Sequence, residues 1–362
     1  MPPSTRDALA AIVEPQIGRG LGELGFLGVV DEVARTAELV LPVTEWPHRG
    51  ALEAEAARVA PGVTLRVRAM DEDERLALRN FLRGEMAAPA GGHGAPAPRF
   101  LERSSKTRVL GISSGKGGVG KSSVTVNLAV ALAAAGRRVG LLDADVYGFS
   151  IPKMIGESSD PVVLGDLVIP TLVHGVRVVS MGYFVPDEQP VIWRGPMLHK
   201  AIEQLVTEAW WDEPDFLLVD MPPGTGDVAL TLSEVVPRVE MYVVTTPQRA
   251  AQRVAQRSAY AARKLKLAVR GVIENMSWFT GDDGARYEIF GSGGGAQLAR
   301  ELGVPLLAQV PLDPRLREGG DVGAPLVVSD PDAEASRAFA DLAASVIAQG
   351  PSRVYRQELT VR

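Results

Sequence analysis

Gly115-Lys116-Gly117-Gly118-Val119-Gly120-Lys121-Ser122 lies between an apolar run, Arg108 to Ser113, and a small-residue apolar stretch, Ser123 to Ala135, with the spacing of a helix. Strand, glycine-rich loop and helix in that order is the setting in which Gly-x-x-x-x-Gly-Lys-Ser cradles phosphate. Glycines let successive backbone N–H groups converge, and the helix N-terminus adds partial positive charge. Lys121 is placed to reach the terminal phosphates, and the Ser122 hydroxyl to ligate Mg²⁺. The residues from Gly115 through Ser123 are therefore the expected nucleotide cradle. The same letters satisfy Gly115-x-Gly117-x-x-Gly120, the dinucleotide pattern, but the acidic residues further on have competing roles. Lys121-Ser122 decides for a nucleoside triphosphate, either ATP or GTP.

Outward from the loop, apolar runs alternate with helical stretches: Val139 to Leu142, Phe216 to Val219, Met241 to Thr245, Val269 to Glu274 and Leu307 to Val310, closed by an amphipathic Asp332 to Gln349. Strands apolar on both faces predict an α/β fold, a doubly wound and mostly parallel sheet covered by helices. Two of these strands end in acid. Leu141-Leu142-Asp143-Ala144-Asp145 and Phe216-Leu217-Leu218-Val219-Asp220 place carboxylates at the carboxyl ends of parallel strands, where ligands bind in such sheets. Asp220 reads as a carboxylate behind Mg²⁺, and Gly224 and Gly226 beyond it as a segment able to sense the γ-phosphate. Asp143 and Asp145 read either as metal- and water-facing groups or as a cap for the next segment.

The chain has 362 residues, 46 % of them hydrophobic, a net charge of -6 and a pI near 5.5. That length favours two folded units, and the acidic balance argues against wrapping nucleic acid through global charge. Ala87 to Pro98, rich in Pro, Gly and Ala, reads as the heart of a linker. The expected organisation is a small α+β domain over 1–84, a linker over 85–107, the nucleotide domain over 108–350 and a tail over 351–362. Within the first unit the runs Glu38 to Val43 and Val63 to Ala69 flank a helix-like Gly50 to Val59; whether this unit docks or swings stays open. No run approaches the roughly 18 apolar residues of a membrane span, and the opening residues lack a signal-peptide core, so the cytoplasm is the expected compartment. There is no cysteine. Disulfides, thiolate metal sites and cysteine-ligated iron–sulfur clusters are thereby excluded from this chain.

Gly-Lys-Gly-Gly-Val-Gly-Lys-Ser, with its second lysine at Lys116, resembles the deviant Walker A motif of the MinD, ParA and nitrogenase-iron-protein class. The resemblance implies that Lys116 contacts phosphate across a homodimer with ATP at the interface, that Asp145 orients the attacking water, and that Asp143 holds Mg²⁺ through its hydration shell. On this reading Lys116, Lys121 and Asp145 are catalytic, while Ser122, Asp143 and Asp220 serve the metal. Asp220-Met221-Pro222-Pro223-Gly224-Thr225-Gly226-Asp227, Val191 to Met197 and Glu274-Asn275-Met276-Ser277 further resemble the Mrp/ApbC iron–sulfur cluster carriers. Val13 to Gly18 and Leu24 to Leu27 are similar to the small iron–sulfur assembly domain often fused ahead of them. That family implies that Asn275 reads adenine, with Pro311 to Asp313 beside it, so that ATP is preferred. It also implies slow ATP hydrolysis coupled to cluster transfer to an apoprotein or assembly partner.

One departure is plain. The carriers bear Cys-x-x-Cys a few residues after the Asn-Met-Ser segment, whereas Trp278-Phe279 is followed here by Thr280-Gly281-Asp282-Asp283-Gly284. Asp282 and Asp283 are hard donors unsuited to an iron–sulfide cluster, and the run reads as a turn. Thr44-Glu45-Trp46-Pro47 likewise stands where relatives of the small domain carry cysteine. The alternative is a cysteine-free switch ATPase for positioning, regulation or DNA association. For that reading Arg249, Arg253, Arg257 and Lys264 fall on one helical face, either a phosphate-contacting stripe or a solvated one. Phe290-Gly291-Ser292-Gly293-Gly294-Gly295 reads as a flexible turn or a second anion nest. Arg194 reads as a phosphate, dimer-face or surface residue. The four histidines have no metal-ligand spacing.

Overall fold

The strand that feeds the glycine loop lies in the middle of a sheet. The computed structural model describes residues 3–86, 98–102, 104–146, 148–156, 159–184, 195–224, 226–236 and 238–352. Its main sheet is built from β1 (Arg108–Ser114), β2 (Val139–Asp143), β3 (Thr171–Val173), β4 (Val176–Ser180), β5 (Phe216–Asp220), β6 (Val239–Thr245), β7 (Ala268–Glu274) and β8 (Leu306–Gln309). The strand order is β3-β4-β2-β5-β1-β6-β7-β8, and every neighbouring pair is parallel except the edge pair β3–β4. β1, β2, β5 and β6 are buried at every position, which is why they read as continuous apolar runs rather than alternating ones.

Alternate residues of those strands enter different layers. Leu110, Ile112, Leu141, Leu218 and Val244 pack under α1 (Lys121–Ala134) and the closing helix, in which Phe339, Leu342 and Val346 are buried. Val109, Leu142, Leu217 and Val219 pack against Leu198, Ile202 and Leu205 of α2 (Gly195–Glu208) and Leu232 of α3 (Asp227–Val235). Further along the sheet, α4 (Arg249–Lys264) and α5 (Gly294–Leu302) cover Val243 and Val272. α6 (Pro314–Val322) and α7 (Glu334–Gln349) complete the domain. α1 begins at Lys121, two residues before the apolar stretch that marked it in the sequence, because the loop's last glycine is itself the N-cap.

The first unit pairs Leu27–Asp31 antiparallel to Thr36–Leu41, which pairs in parallel with Thr64–Ala69. Helices Arg49–Val59 and Glu72–Met86 complete it. Trp46 meets Phe26 edge-on at 5.6 Å, and its Nε1 donates to the buried Glu14 carboxylate at 2.9 Å. This unit is docked. Its core residues, among them Ile17, Leu39 and Leu82, join Val162, Leu164, Leu167, Ile169 and Trp210 of the nucleotide domain in one apolar cluster. All of these docking residues but Trp210 lie on a hairpin, Val162–Leu164 with Leu167–Ile169, whose three-residue strands are too short to show a sequence period, and Trp210 joins it by donating its backbone N–H to the Val168 carbonyl. Pro98 to Leu101 also departs from the expected linker. Phe100 is 6 % exposed and packs into the core beneath α2.

Candidate nucleotide site

Asp143, Asp145 and Asp220 converge on Lys121 at the carboxyl ends of β2 and β5. Lys121 Nζ lies 2.6 Å from Asp220 Oδ2 and 3.5 Å from Asp145 Oδ2. Asp220 is fully buried; Oδ2 also accepts from Ser122 Oγ at 2.7 Å, and Oδ1 lies 2.7 Å from Thr125 Oγ1. Thr125 was not singled out by the sequence. Its signal is only its position one helical turn after Lys121, on the same face. Asp143, also fully buried, accepts from the Asp145 and Ile151 backbone N–H groups and from Ser180 Oγ at the end of β4. Burial first, and the neighbouring Asp220 carboxylate second, push the Asp143 acid up to about 7. A dication beside it would favour the ionised form, so this donor set fits Mg²⁺ held by Ser122 with Asp143 and Asp220 behind it.

The cradle's two ends are held differently. Lys116, half buried, extends its Nζ to Gln248 Oε1 at 3.4 Å, at the N-cap of α4 in the same chain. Asn275, expected to face the base, donates from Nδ2 to the Val119 carbonyl at 2.9 Å and so also braces the loop. It borders a cavity of about 600 Å³ lined by Gly118, Gly120, Ser123, Met154, Met276, Pro311 and Asp313. Asp313 is at its rim rather than free, since its carboxylate caps α6 through Arg315 N and pairs with the Arg315 guanidinium at 2.7 Å. Gly224, beyond Asp220, donates to the Ser114 carbonyl at 2.8 Å and accepts from Ser258 Oγ of α4. Arg194 and Thr225 lie outside the described residues.

Gly115 marks a close backbone approach in the site. A Cβ there would fall 2.2 Å from the backbone nitrogen of Ala255 in α4. Gly115→Ala is therefore expected to push α4 off the loop, costing about 1–3 kcal/mol by overpacking and lowering nucleotide affinity with it. Thermal unfolding and nucleotide titration of that variant check this; an unchanged melting temperature would contradict the contact.

The segment after Asn275 closes on itself. Phe279–Thr280 pairs antiparallel with Arg286–Tyr287 around the Gly281 to Ala285 turn. Asp283 is engaged in that turn, accepting from Ala285 N at 3.0 Å and Tyr287 Oη at 2.8 Å, as the reading of Gly-Asp-Asp-Gly as a turn requires. Glu334 of α7 ties the hairpin down through Trp278 Nε1, Thr280 Oγ1 and Arg286 Nη2. Arg286 also lies 4.2 Å over the Trp278 ring. Among the described residues no three or more His, Asp or Glu side chains cluster as a metal-ligand set, at this hairpin or elsewhere.

Glycine loop, buried lysine and strand-end carboxylates on a mostly parallel sheet define the class as P-loop NTPase. Residues 105–347 match the family described as NUBPL iron-transfer P-loop NTPase, of ParA type, and the chain belongs to it. An iron–sulfur cluster carrier protein of Mycobacterium leprae (strain TN) is 41 % identical over 340 residues, covering 90 % of this chain and 87 % of that protein. Among solved structures, a nucleotide-binding protein from Archaeoglobus fulgidus in complex with ADP is 33 % identical with a TM-score of 0.55, covering 65 % of this chain and 93 % of that one. The septum site-determining protein MinD from Pyrococcus horikoshii OT3, with Mg-ADP, is 26 % identical with a TM-score of 0.53, covering 68 % of this chain and all of that one.

Proposed function

We propose that this chain is a cytoplasmic ATPase that binds ATP with Mg²⁺ between two copies of itself and hydrolyses it slowly to drive transfer of an iron–sulfur cluster to an apoprotein. The observation that carries the reading is the convergence of Lys121, Ser122 and Thr125 on Asp220 in a chain of the iron-transfer family. Mg²⁺ supplies positive charge to the phosphates and to their leaving oxygen. Lys121 passes from Asp220 to the terminal phosphates, Lys116 leaves Gln248 for the phosphates of the partner copy, and Asp145 holds the water in line. Asn275, over the cavity beside Gly120, reads the base.

The cluster is cargo that this chain does not ligate through its own thiolates, for it has none. The acids within the hairpin Phe279 to Tyr287 are Asp282 and Asp283, Asp283 is already bound within its own turn, and the neighbouring Glu334 is taken up by Trp278, Thr280 and Arg286. We infer that the thiolates come from the partner. Anaerobic reconstitution with iron and sulfide tests this: the isolated chain is expected to retain no stoichiometric cluster, while a cysteine-bearing apoprotein is expected to acquire one faster with the chain and ATP present. The same experiment addresses a switch role. Arg249, Arg253 and Arg257 are exposed on α4, a helix without an acidic residue. ATP-dependent, salt-sensitive DNA retention with no effect on cluster transfer would favour that second reading.

A further inference from the structure

The glycine run Phe290 to Gly295 has the composition of an anion nest, and the structure supplies the anion from within. Glu274, the last residue of β7, is 1 % exposed. Its carboxylate accepts from the Gly295 backbone N–H at 2.5 Å, from Gln309 Nε2 at 2.7 Å and from Ser277 Oγ at 3.0 Å. Among the described residues it forms no ion pair with Lys or Arg; three donors and the positive end of α5 meet its charge. The fit is close. A Cβ on Gly295 would lie 2.7 Å from Glu274 Cβ, and one on Gly294 would lie 2.3 Å from the Pro247 carbonyl oxygen.

Two lines run from this carboxylate to the nucleotide cradle. Asn275 follows directly: its backbone N–H donates to the Thr245 carbonyl at 2.8 Å and its Nδ2 to the Val119 carbonyl at 2.9 Å. Met276 then takes a φ of 58°, a conformation rare for a residue with a side chain, and Ser277 returns to the sheet through the Val310 carbonyl. Ser277 is itself held by Glu274, so the turn that aims Asn275 is clamped by the residue before it. The second line passes through α5. Its first residues abut Pro247, whose neighbour Gln248 caps α4 and accepts from Lys116.

We propose that Glu274 is a positioning residue for nucleotide recognition, its buried carboxylate fixing the direction of Asn275 towards the base and the seat of Gln248 beside Lys116. The proposal rests on the ATP-binding reading above and adds to it a residue that touches no nucleotide.

Equilibrium binding of ATP and of GTP to the full chain tests it, with wild type, Glu274→Gln, Asn275→Ala and the double variant. Glu274→Gln keeps the shape but loses an acceptor oxygen, and the preference for ATP over GTP is expected to fall about tenfold. In the Asn275→Ala background the same substitution is expected to change the preference no further, since both act through one contact. A purely structural role would weaken ATP and GTP equally, and that result, or an unchanged preference, overturns the proposal. Should Glu274→Gln not fold, Gln309→Ala removes one donor while leaving the carboxylate, and a smaller loss of preference is expected. A wild-type chain that binds neither nucleotide would instead sink the ATP-binding reading, whereas one that binds ATP selectively and is indifferent to Glu274 would sink only this inference.

Discussion

Lys121→Ala is expected to slow ATP hydrolysis severely and, before any nucleotide is added, to destabilise the chain. Both effects come from one amine. Lys121, 6 % exposed, is the counter-ion of Asp220 and Asp145. Removing one member of a buried pair costs about 3–5 kcal/mol, because the remaining carboxylate stays desolvated without compensation. The lower end of that range is expected here, since burial and Asp220 already push Asp143 up to about 7 and a part-neutral neighbour repels less. Calorimetry without Mg²⁺ should show the drop in melting temperature, and Mg²⁺ should restore part of it by returning positive charge to the acids. Hydrolysis, followed as phosphate release, should fall by a factor of roughly 10²–10³, the scale for losing one charged donor at a reacting group. Hydrolysis at the wild-type rate would remove the site from Lys121 and the ATPase reading with it.

Asp220 alone engages Lys121, Ser122 and Thr125, so the groups expected to meet phosphate and metal are satisfied internally. Nucleotide with Mg²⁺ has to exchange these contacts rather than fill a vacant charge. Gly224, hydrogen-bonded to Ser114 and to Ser258 of α4, lies a few residues beyond Asp220. The segment after Asp220 therefore ties the carboxylate end of β5 to β1 and to α4.

What could be read from the sequence was local. The phosphate loop is legible because each requirement, strand, glycines, lysine and helix, falls within a few residues of the next, and β1, β2 and β5 are legible because central parallel strands are apolar on both faces. Their ends differ from the sequence reading by a residue or so, as where β2 and β5 extend to Asp143 and Asp220 themselves. The missing cysteines were equally plain, and the turn at Asp282 and Asp283 follows from its Gly and Asp content. Contacts between distant segments left no such trace. Ser180 on Asp143 and Gln248 on Lys116 require the fold; β3 is a three-residue edge strand too short to show a period, and in β4 Arg177 interrupts the apolar run. The glycine run before α5 reads from the sequence as a turn or as an anion nest, and its contact with Glu274 is not legible, since nothing next to Glu274 in the chain announces that a helix start folds onto it.

Docking of the small domain, left open by the sequence, leads to the other large effect: Trp210→Ala is expected to release that domain from the sheet. Trp210 is 1 % exposed, packs in the shared apolar cluster and carries the Arg177 guanidinium 4.9 Å over its ring. Its indole N–H has no acceptor among the described residues, so its contribution is packing rather than hydrogen bonding. Truncation of a buried tryptophan costs about 3–5 kcal/mol. Polar contacts at the same seam are too few to replace it. Gln16 Nε2 donates to the Pro170 carbonyl at 2.8 Å, Arg177 reaches the Gln16 carbonyl at 3.2 Å, and Arg83 pairs with Asp166 at 2.6 Å with both partners partly exposed. An exposed pair of that kind contributes at most about 1 kcal/mol. Calorimetry of the wild type should give one cooperative transition, and Trp210→Ala two, the small domain melting first; Trp210→Phe, which keeps a ring under Arg177 and buries no unpaired N–H, should remain single. A single, unshifted transition in Trp210→Ala would show that the two units are not joined through this cluster. Because the docking hairpin leads through Pro170 into β3 and β4, and β4 ends where Ser180 holds Asp143, the undocked variant should also bind Mg²⁺ with ATP more weakly although no residue of the cradle has changed.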